Sequence, residues 1–379
     1  MSQLSYMDKL LDGVEVEWKE LGNSITFQRG KRLVKSQLKE SGEYAVFQNS
    51  MTPLGYYHES NVSAKSAFVI CAGAAGEIGF SDDSFWAADD VYYAEQSEFL
   101  NSKYLYHFLL TQKHKIASQV RRASIPRLSK SAIEKLIVPI PCPDNPEKSL
   151  AIQAEIVRIL DAFTAMTAEL TAELNLRQKQ YNYYRDQLLS FEEGEVEWKA
   201  LGKIAEINTG QKPSEILDTE AEFDYINAGT TRSGYCALSN CEGDTVTTPS
   251  RGQGGIGFVG YQNKSFWLGP LCYKIRSIDN KELINKYLFY ILQSKNQLLL
   301  GLKKEGGVPA VNKSDLAKLE VPVPSVAEQE RIVEILDKFD TLTTSIQEGL
   351  PREIELRQKQ YEYYRDLLLS FPRSNEGAA

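Results

Sequence analysis

The stretch LRQKQYNYYRDQLLSF at 176–191 returns as LRQKQYEYYRDLLLSF at 356–371, an offset of 180 with 14 of 16 positions identical. Working outward, EVEWKELG at 15–22 returns as EVEWKALG at 195–202, again offset by 180. SLAIQAEIVRILDAF at 149–163 matches SVAEQERIVEILDKF at 325–339, and IEKLIVPIP at 133–141 matches LAKLEVPVP at 316–324. Self-similarity at a fixed long period marks a duplicated architecture. The chain reads as a globular segment, a helix, a globular segment and a helix. A further echo, Tyr6-Met7-Asp8-Lys9-Leu10-Leu11, resembles the stretches starting at Tyr184 and Tyr364. The register therefore opens inside a helix end, which predicts termini that lie close together.

Both linking segments have helical patterns. Ile152, Ile156, Ile159, Phe163, Met166 and Leu170 step 4-3-4-3-4, a coiled-coil seam. Asn145 caps this helix and Pro146 takes its first position. In the second helix Ser325-x-x-Glu328 forms a capping-box signature. Ile332, Ile335, Phe339, Leu342 and Ile346 continue the seam, and Gly349 with Pro351 kinks or breaks it. A helix of forty-odd residues spans about 60 Å at ~1.5 Å per residue, more than one module covers. Two such helices separated by a folded segment are expected to pair antiparallel. The globular segments read as mixed α and β: 91–112 and 271–294 each run from a strand into a helix. Phe68–Cys71 and Lys135–Ile140 read as short strands, and glycine-rich turns fall at 73–79 and 252–260.

The chain has 379 residues and a formal charge of -8, but the acid is localised. Residues 150–193 carry four Lys/Arg against seven Asp/Glu, and residues 326–371 carry six against ten. Residues 111–136 hold seven Lys/Arg and only Glu134. A local basic patch is what phosphate binding needs, whatever the total. No apolar run approaches a membrane span and the start lacks a signal-peptide core, so secreted and membrane readings are poor. Five scattered cysteines (Cys71, Cys142, Cys236, Cys241, Cys272) point to free thiols in a reducing cytoplasm. Cys236 and Cys241 lack a second pair or nearby histidine, so no metal site is expected.

Positions 23–132 and 203–315 share mainly GEIGF/GGIGF (76–80, 254–258) and SFW (84–86, 265–267). A common frame with two different inserts suggests one binding module copied for two targets. GxxxxGK[ST], HExxH, CxxC and GxSxG are all missing, as is the Asn/Asp-Pro-Pro-aromatic motif of DNA amino-methyltransferases. Gly254-Gly255-x-Gly257-x-x-Gly260 is glycine-rich, but it lies between short strands instead of opening a helix, so it reads as a β-turn or bulge and not as a dinucleotide fingerprint. The chain thus reads as a binding protein that carries no cofactor of its own. The first insert offers Arg29, Lys31, Arg32, Lys35, Gln48, Asn49, Tyr56, Tyr57, Arg121, Arg122, Arg127 and Lys130 as nucleic-acid contacts. The second offers Gln211, Lys212, Asn227, Thr230, Arg232, Arg251, Gln253, Lys303, Lys304, Asn312 and Lys313. Cationic side chains neutralise phosphates, while Arg, Gln and Asn also read base edges in pairs of hydrogen bonds. RRASIPRLSK (121–130) and KKEGGVPAVNK (303–313) hold equivalent places, each a basic pair before a proline-containing turn.

The repeated PIPCP/PVPSV, AEIVRILDAF/ERIVEILDKF and LRQKQYxYYRDxLLSF blocks and the EVEWKxLG start resemble the specificity subunits of type I restriction-modification systems. TAELTAEL at 167–174, carrying Thr167, Leu170, Thr171 and Leu174, resembles the duplicated spacer of the type IC group. The resemblance covers roughly 1–22, 133–202 and 316–371 and leaves out the inserts. It implies an α+β protein of two mixed α/β target-recognition domains joined by two long antiparallel coiled-coil helices, with a pseudo-two-fold internal repeat. The domains are expected at 1–144 and 194–324, the central spacer helix at 145–193, the C-terminal spacer helix at 325–371 and a tail at 372–379. Each domain is expected to read one half of an asymmetric bipartite sequence in double-stranded DNA. The chain itself is expected to be non-catalytic and cytoplasmic. Its expected partners are two modification subunits, which bring S-adenosylmethionine and methylate adenine, and restriction subunits, which use ATP and Mg. The alternative from another class is a tandem-domain scaffold gripping protein or carbohydrate.

Overall fold

Trp18 and Trp198 hold the same place in the two EVEWK copies, and each lies on a strand facing a proline. Strand β1 (Val16–Glu20) pairs antiparallel with β9 (Ile137–Pro141), setting Trp18 opposite Pro139. Strand β10 (Glu197–Ala200) pairs with β18 (Glu320–Val323), setting Trp198 opposite Pro322. Proline cannot donate to a sheet, so it suits a two-stranded ribbon whose other side needs no partner. The computed structural model describes residues 9–11, 13–192, 194–252, 254–304, 308–345 and 347–371. Tyr6, Met7 and Asp8 of the N-terminal echo, Gln253, Ile346 and the tail 372–379 lie outside the described residues.

Between the ribbon strands each module builds the same two sheets. In the first, β2 (Phe27–Arg29), β5 (Ser66–Ile70), β6 (Ile78–Ser81) and β8 (Val91–Ala94) form a sheet of order β2-β8-β5-β6. Strands β3 (Tyr44–Phe47), β4 (Gly55–Tyr57) and β7 (Trp86–Ala87) form a sheet of order β4-β3-β7. In the second module, β11 (Ala205–Thr209), β14 (Thr245–Pro249), β15 (Gly260–Gln262) and β17 (Cys272–Ser277) take the order β11-β17-β14-β15. There β12 (Phe223–Ile226), β13 (Tyr235–Cys236) and β16 (Trp267–Leu268) take the order β13-β12-β16. Every strand of the first module thus has its counterpart nine strands on, although the inserts share little sequence.

The strand register corrects one sequence alignment. Gly79 pairs with Phe68 on β5, and Gly260 pairs with Thr247 on β14. The counterpart of Gly79 is therefore Gly260, at offset 181 like SFW, and not Gly257. GGIGF belongs to a turn that is longer in the second module, where Gly252, Gly254 and Gly257 take left-handed backbone angles.

Contact divides the chain into two units, one reaching Leu170 and resuming at Ile354, the other Thr171–Glu353. Helix α1 (Ser102–Thr111) lies in the first unit, and helix α2 (Pro146–Leu188) runs through the boundary without a break. Helices α3 (Asn285–Ser294) and α4 (Val326–Thr344) lie in the second unit, and α5 (Leu350–Leu368) follows. Asn145 caps α2 through its side-chain oxygen on the Lys148 amide, and Ser325 caps α4 on the Glu328 amide. The expected break is present: Gly349 has φ of 91°, and a Cβ there would meet the Thr341 carbonyl at 2.5 Å. Pro351 then sits in the first turn of α5, where its missing N–H has no helical partner to lose. Leu11, Leu368, Leu369 and Phe371 share one apolar cluster, so the described ends of the chain do come together.

The seam differs from the one drawn on sequence. Ile152, Ile156 and Leu160 are buried in the first core, while Met166 is 41% exposed. In α4 the buried residues are Gln329, Ile332, Leu336 and Thr343. Each helix must cover its own module as well as a second helix, which takes a wide apolar stripe of 3.6 period instead of a narrow two-position seam. Helix meets helix along the flank of that stripe: Phe163 stacks on Tyr364 at 5.2 Å in one unit, and Phe339 on Tyr184 at 5.7 Å in the other. The start of α2 thus meets the end of α5, and the end of α2 meets α4, which is the antiparallel arrangement.

Polar groups fix each module to its helix. Gln153 and Gln329 have no exposed surface. Gln153 accepts from the Asn101 amide at 2.8 Å and donates to the Phe99 carbonyl at 3.0 Å. Gln329 accepts from the Ile284 amide at 2.9 Å and donates to the Glu282 carbonyl at 2.8 Å. Tyr104 and Tyr287 donate to the Pro139 and Pro322 carbonyls. His107 lies between Tyr361 at 2.9 Å and Asp161 at 3.4 Å, and burial pushes its imidazole down to about 4. In the second unit Tyr290 takes the place of His107 and hydrogen-bonds Asp337. Removing the carboxamide leaves a buried N–H and C=O unpaired, at about 1–3 kcal/mol per group. Gln153→Ala and Gln329→Ala should each lower the urea midpoint of the purified protein, whereas the exposed Gln178→Ala should not.

Candidate nucleic-acid interface

Strands β2 and β5 end, and β8 begins, at the same edge of the first sheet, because β8 runs antiparallel to both. Five loops meet there, stitched by backbone hydrogen bonds. Lys31 donates to the Ala87 carbonyl and Ala88 to the Phe47 carbonyl, both at 2.9 Å. Cys71 donates to the Asp90 carbonyl at 2.7 Å, and Ala74 to the Asn49 carbonyl at 2.9 Å. Arg121 and Arg127 face each other as a bridge pair, Arg127 also bridges Ala72, and Gly73 donates to the Pro126 carbonyl. Gly30 is required at this edge, since a Cβ would lie 2.2 Å from the Ala88 carbonyl oxygen.

The second module repeats the edge. Gln211 donates to Leu268, Gly269 to Ile226, Ser250 to Leu271 and Gly252 to Pro309. Lys304 bridges Ala310, which in turn bridges Arg251. Gly210 stands where Gly30 does, with the Leu268 carbonyl oxygen 1.9 Å from its would-be Cβ. The hairpin of 121–127 thus corresponds to that of 304–310, as the paired basic stretches suggest. The edge is positioned by residues the sequence reading missed. Asn61 clamps both backbone groups of Ala87, and Asn240 clamps both of Leu268. Trp86 donates to the Lys31 carbonyl, and Trp267 to that of Gln211. SFW at offset 181 was the available signal for the tryptophans. The asparagines, at offset 179, were hidden by the shift in register.

The candidate contacts sort by what else holds them. Lys31, Gln48, Asn49, Arg121, Arg122 and Arg127 gather at the first edge. Among the described residues the guanidiniums of Arg121, Arg122 and Arg127 engage no carboxylate, and Lys31, Arg32 and Lys35 have no ion pair either. Arg29 is partly committed, its Nε donating to the Asp89 carbonyl at 2.7 Å. Burial pushes the neighbouring Cys71 thiol up, with Arg29 opposing the rise and Asp90 adding to it. Lys130 pairs with Glu134 at 3.1 Å inside its own helix. Lys35 opens a single helical turn at 35–37, and Tyr56 and Tyr57 lie on β4 of the three-stranded sheet. Tyr56 and Tyr57 alternate on β4, so their side chains point to opposite faces, and Tyr57 packs edge-on to Trp86.

In the second module Gln211, Lys212, Asn227, Arg251 and Lys304 gather at the edge. The Asn227 carbonyl oxygen accepts from the Leu271 amide at 2.9 Å, so that acceptor serves the fold. Lys304 pairs with Asp315 at 3.0 Å, and Asn312 donates to the same carboxylate. Lys313 donates to Asn208, and Arg232 pairs with Asp224 while lying over the Tyr235 ring. Thr230 is exposed on the loop after β12, and Lys303 is half-buried. No group of three His, Cys, Asp or Glu among the described residues could hold a metal, and no described helix is long and apolar enough to cross a membrane.

The two modules of one fold match known proteins in sequence and in fold. Residues 13–177 and 193–356 each match the family model of the type I restriction modification DNA specificity domain. The chain is 41% identical over 409 residues to the EcoR124I/EcoR124II specificity subunit of Escherichia coli, covering 98% of each. It is 33% identical to a putative type I restriction enzyme specificity subunit of Haemophilus influenzae, covering 97% of this chain and 98% of that one. Among solved structures, the S subunit of a type I restriction-modification system from M. genitalium shares the fold. Its TM-score is 0.68 at 19% identity, over 96% of this chain and 98% of that one. With two copies of the specificity domain and a relative matched along nearly its whole length, the chain belongs to the family of type I restriction-modification specificity subunits.

Proposed function

We propose that this chain is the non-catalytic, target-reading subunit of a complex that methylates adenine and restricts unmethylated DNA. The first module reads one half of an asymmetric bipartite sequence in double-stranded DNA, and the second reads the other. The observation that carries this reading is the pair of equivalent loop edges, alike in backbone and different in side chains. Two modification subunits supply S-adenosylmethionine chemistry, and restriction subunits supply ATP- and Mg-dependent cleavage. The acidic helices suit protein partners better than DNA. The near-identical blocks at 176–191 and 356–371 suit two copies of one partner.

The test is to purify the chain with and without a co-expressed modification subunit and measure specific DNA binding and methyl transfer. Methylation is expected only with the partner. A chain that binds no DNA in either form would leave the scaffold alternative standing. In the complex, Arg121→Ala with Arg122→Ala should weaken binding and reduce the slope of log K against log salt by roughly 0.9 per lost phosphate contact. Unchanged affinity and slope would remove these two arginines from the contact set.

The tandem TAEL of 167–174 lies within the unbroken α2, where Thr167 bonds back to the Phe163 carbonyl and Leu170 and Leu174 are half-buried. Stepping from Leu170 to Leu174 by four is a stutter in a 4-3 pattern. A third TAEL after Leu174 would add about 6 Å and about 40° beyond a full turn, at ~1.5 Å and ~100° per residue. One base pair advances ~3.4 Å and rotates ~34°. The rotations nearly agree and the lengths agree within a factor of two. The insertion should lengthen the gap between half-sites by about one base pair and leave both half-sites unchanged. Methylation mapping of the insertion variant with its modification subunits reads this directly, and an unchanged gap would mean that α2 does not set the spacing.

A further inference from the structure

The tips of the two equivalent hairpins carry an exposed aliphatic side chain at the same backbone position. Ile125 is 52% exposed and Val308 is 64% exposed. Each immediately precedes the proline whose carbonyl accepts from a glycine amide, Gly73 or Gly252. Each hairpin is closed by a bridge two residues beyond the tip residue, at Arg127 or Ala310. The surrounding residues differ, RRASIPR against KEGGVPA. What persists is a β-branched aliphatic followed by proline. Single exposed apolar residues need no explanation. Recurrence at one backbone position, in two inserts that otherwise diverge, does need one.

The local geometry suits a rigid probe. A residue before proline is confined to extended backbone, and a β-branched side chain has few rotamers, so the methyl groups point in a fixed direction. In the first module they stand among the unpaired guanidiniums of Arg121, Arg122 and Arg127. An aliphatic group amid free cations is badly placed for a protein core and well placed for DNA. The cations take phosphates, and the methyls meet the apolar spot of the major groove, the 5-methyl of thymine.

We propose that Ile125 and Val308 are base-reading residues, each packing on the thymine of the A·T pair that its half-site offers for methylation. This rests on the function proposed above. If both modules serve adenine methylation, an A·T pair is the one feature their different half-sites share. A side-chain type shared by two otherwise different loops then reads the shared feature.

The test uses the complex with its modification subunits and duplexes in which uracil replaces the thymine opposite each methylated adenine. Wild-type binding should fall several-fold on losing the methyl in either half. Ile125→Ser should weaken binding about tenfold, with an unchanged salt slope, and abolish the thymine–uracil difference in one half only. Val308→Ser should do the same in the other half, while Ile125→Val and Val308→Ile should retain the difference. No uracil effect in the wild type, a changed salt slope, or equal losses in both halves would overturn the proposal. Wild-type failure to bind DNA at all would instead count against the proposed function.

Discussion

A buried carboxamide fixes where each module sits on its helix. Gln153 and Gln329 each join the helix to an amide and a carbonyl in the loop leading into α1 or α3. Apolar packing between two helices tolerates a shift of position, because one aliphatic contact resembles another. A buried amide pair does not, since a displaced carboxamide leaves polar groups unpaired away from water. Lys103 on Asp161 and Lys286 on Asp337 repeat the constraint about two turns further along, at ~3.6 residues per turn. The loop edge then inherits a defined position from the sheet, and the sheet from the helix behind it.

That edge can vary in sequence because backbone holds most of it. The stitches between loops are amide-to-carbonyl bonds, which do not depend on the side chains carried. Glycine is demanded at Gly30 and Gly210, where carbonyls approach, yet the next position is Lys31 in one module and Gln211 in the other. The clamps that do use side chains, Asn61 and Asn240 with Trp86 and Trp267, lie just behind the edge and are the same in both modules. A fold organised this way can exchange its contact residues at little cost to stability, which is what reading two unlike sequences requires.

The architecture was legible in the sequence because duplication displays it: near-identical blocks, capped helix starts, and a glycine and proline at the break. The apolar seam was misjudged because a coiled-coil pattern assumes one partner. Leu160 and Leu336 turn toward a module, and Met166 meets neither module nor helix closely enough to be buried. Glycine-rich strings misled the alignment, since glycine recurs wherever a turn needs it, and only strand pairing separated Gly257 from Gly260. For the site, residue type picked out the hairpins and the loops after β2, β3, β11 and β12. It could not show that Arg29 and Asn227 hold backbone, because those acceptors and donors come from residues over forty positions away.

The two edges also differ in how much charge they can offer. In the first module the three arginines of the hairpin stand without carboxylates, so a phosphate meets cations that surrender nothing to receive it. In the second, Lys304, Lys313 and Arg232 already have acceptors in Asp315, Asn208 and Asp224. A phosphate taken by Lys304 or Arg232 must displace a carboxylate, and an exposed ion pair of this kind contributes about 0–1 kcal/mol that is lost in the exchange. On the proposed function the first module therefore supplies more of the long-range attraction that brings DNA to the protein, and the second relies more on short-range fit. The formal charge of -8 hides this, because the excess acid lies on the helices while the three carboxylate-free arginines of 121–127 lie on one loop edge.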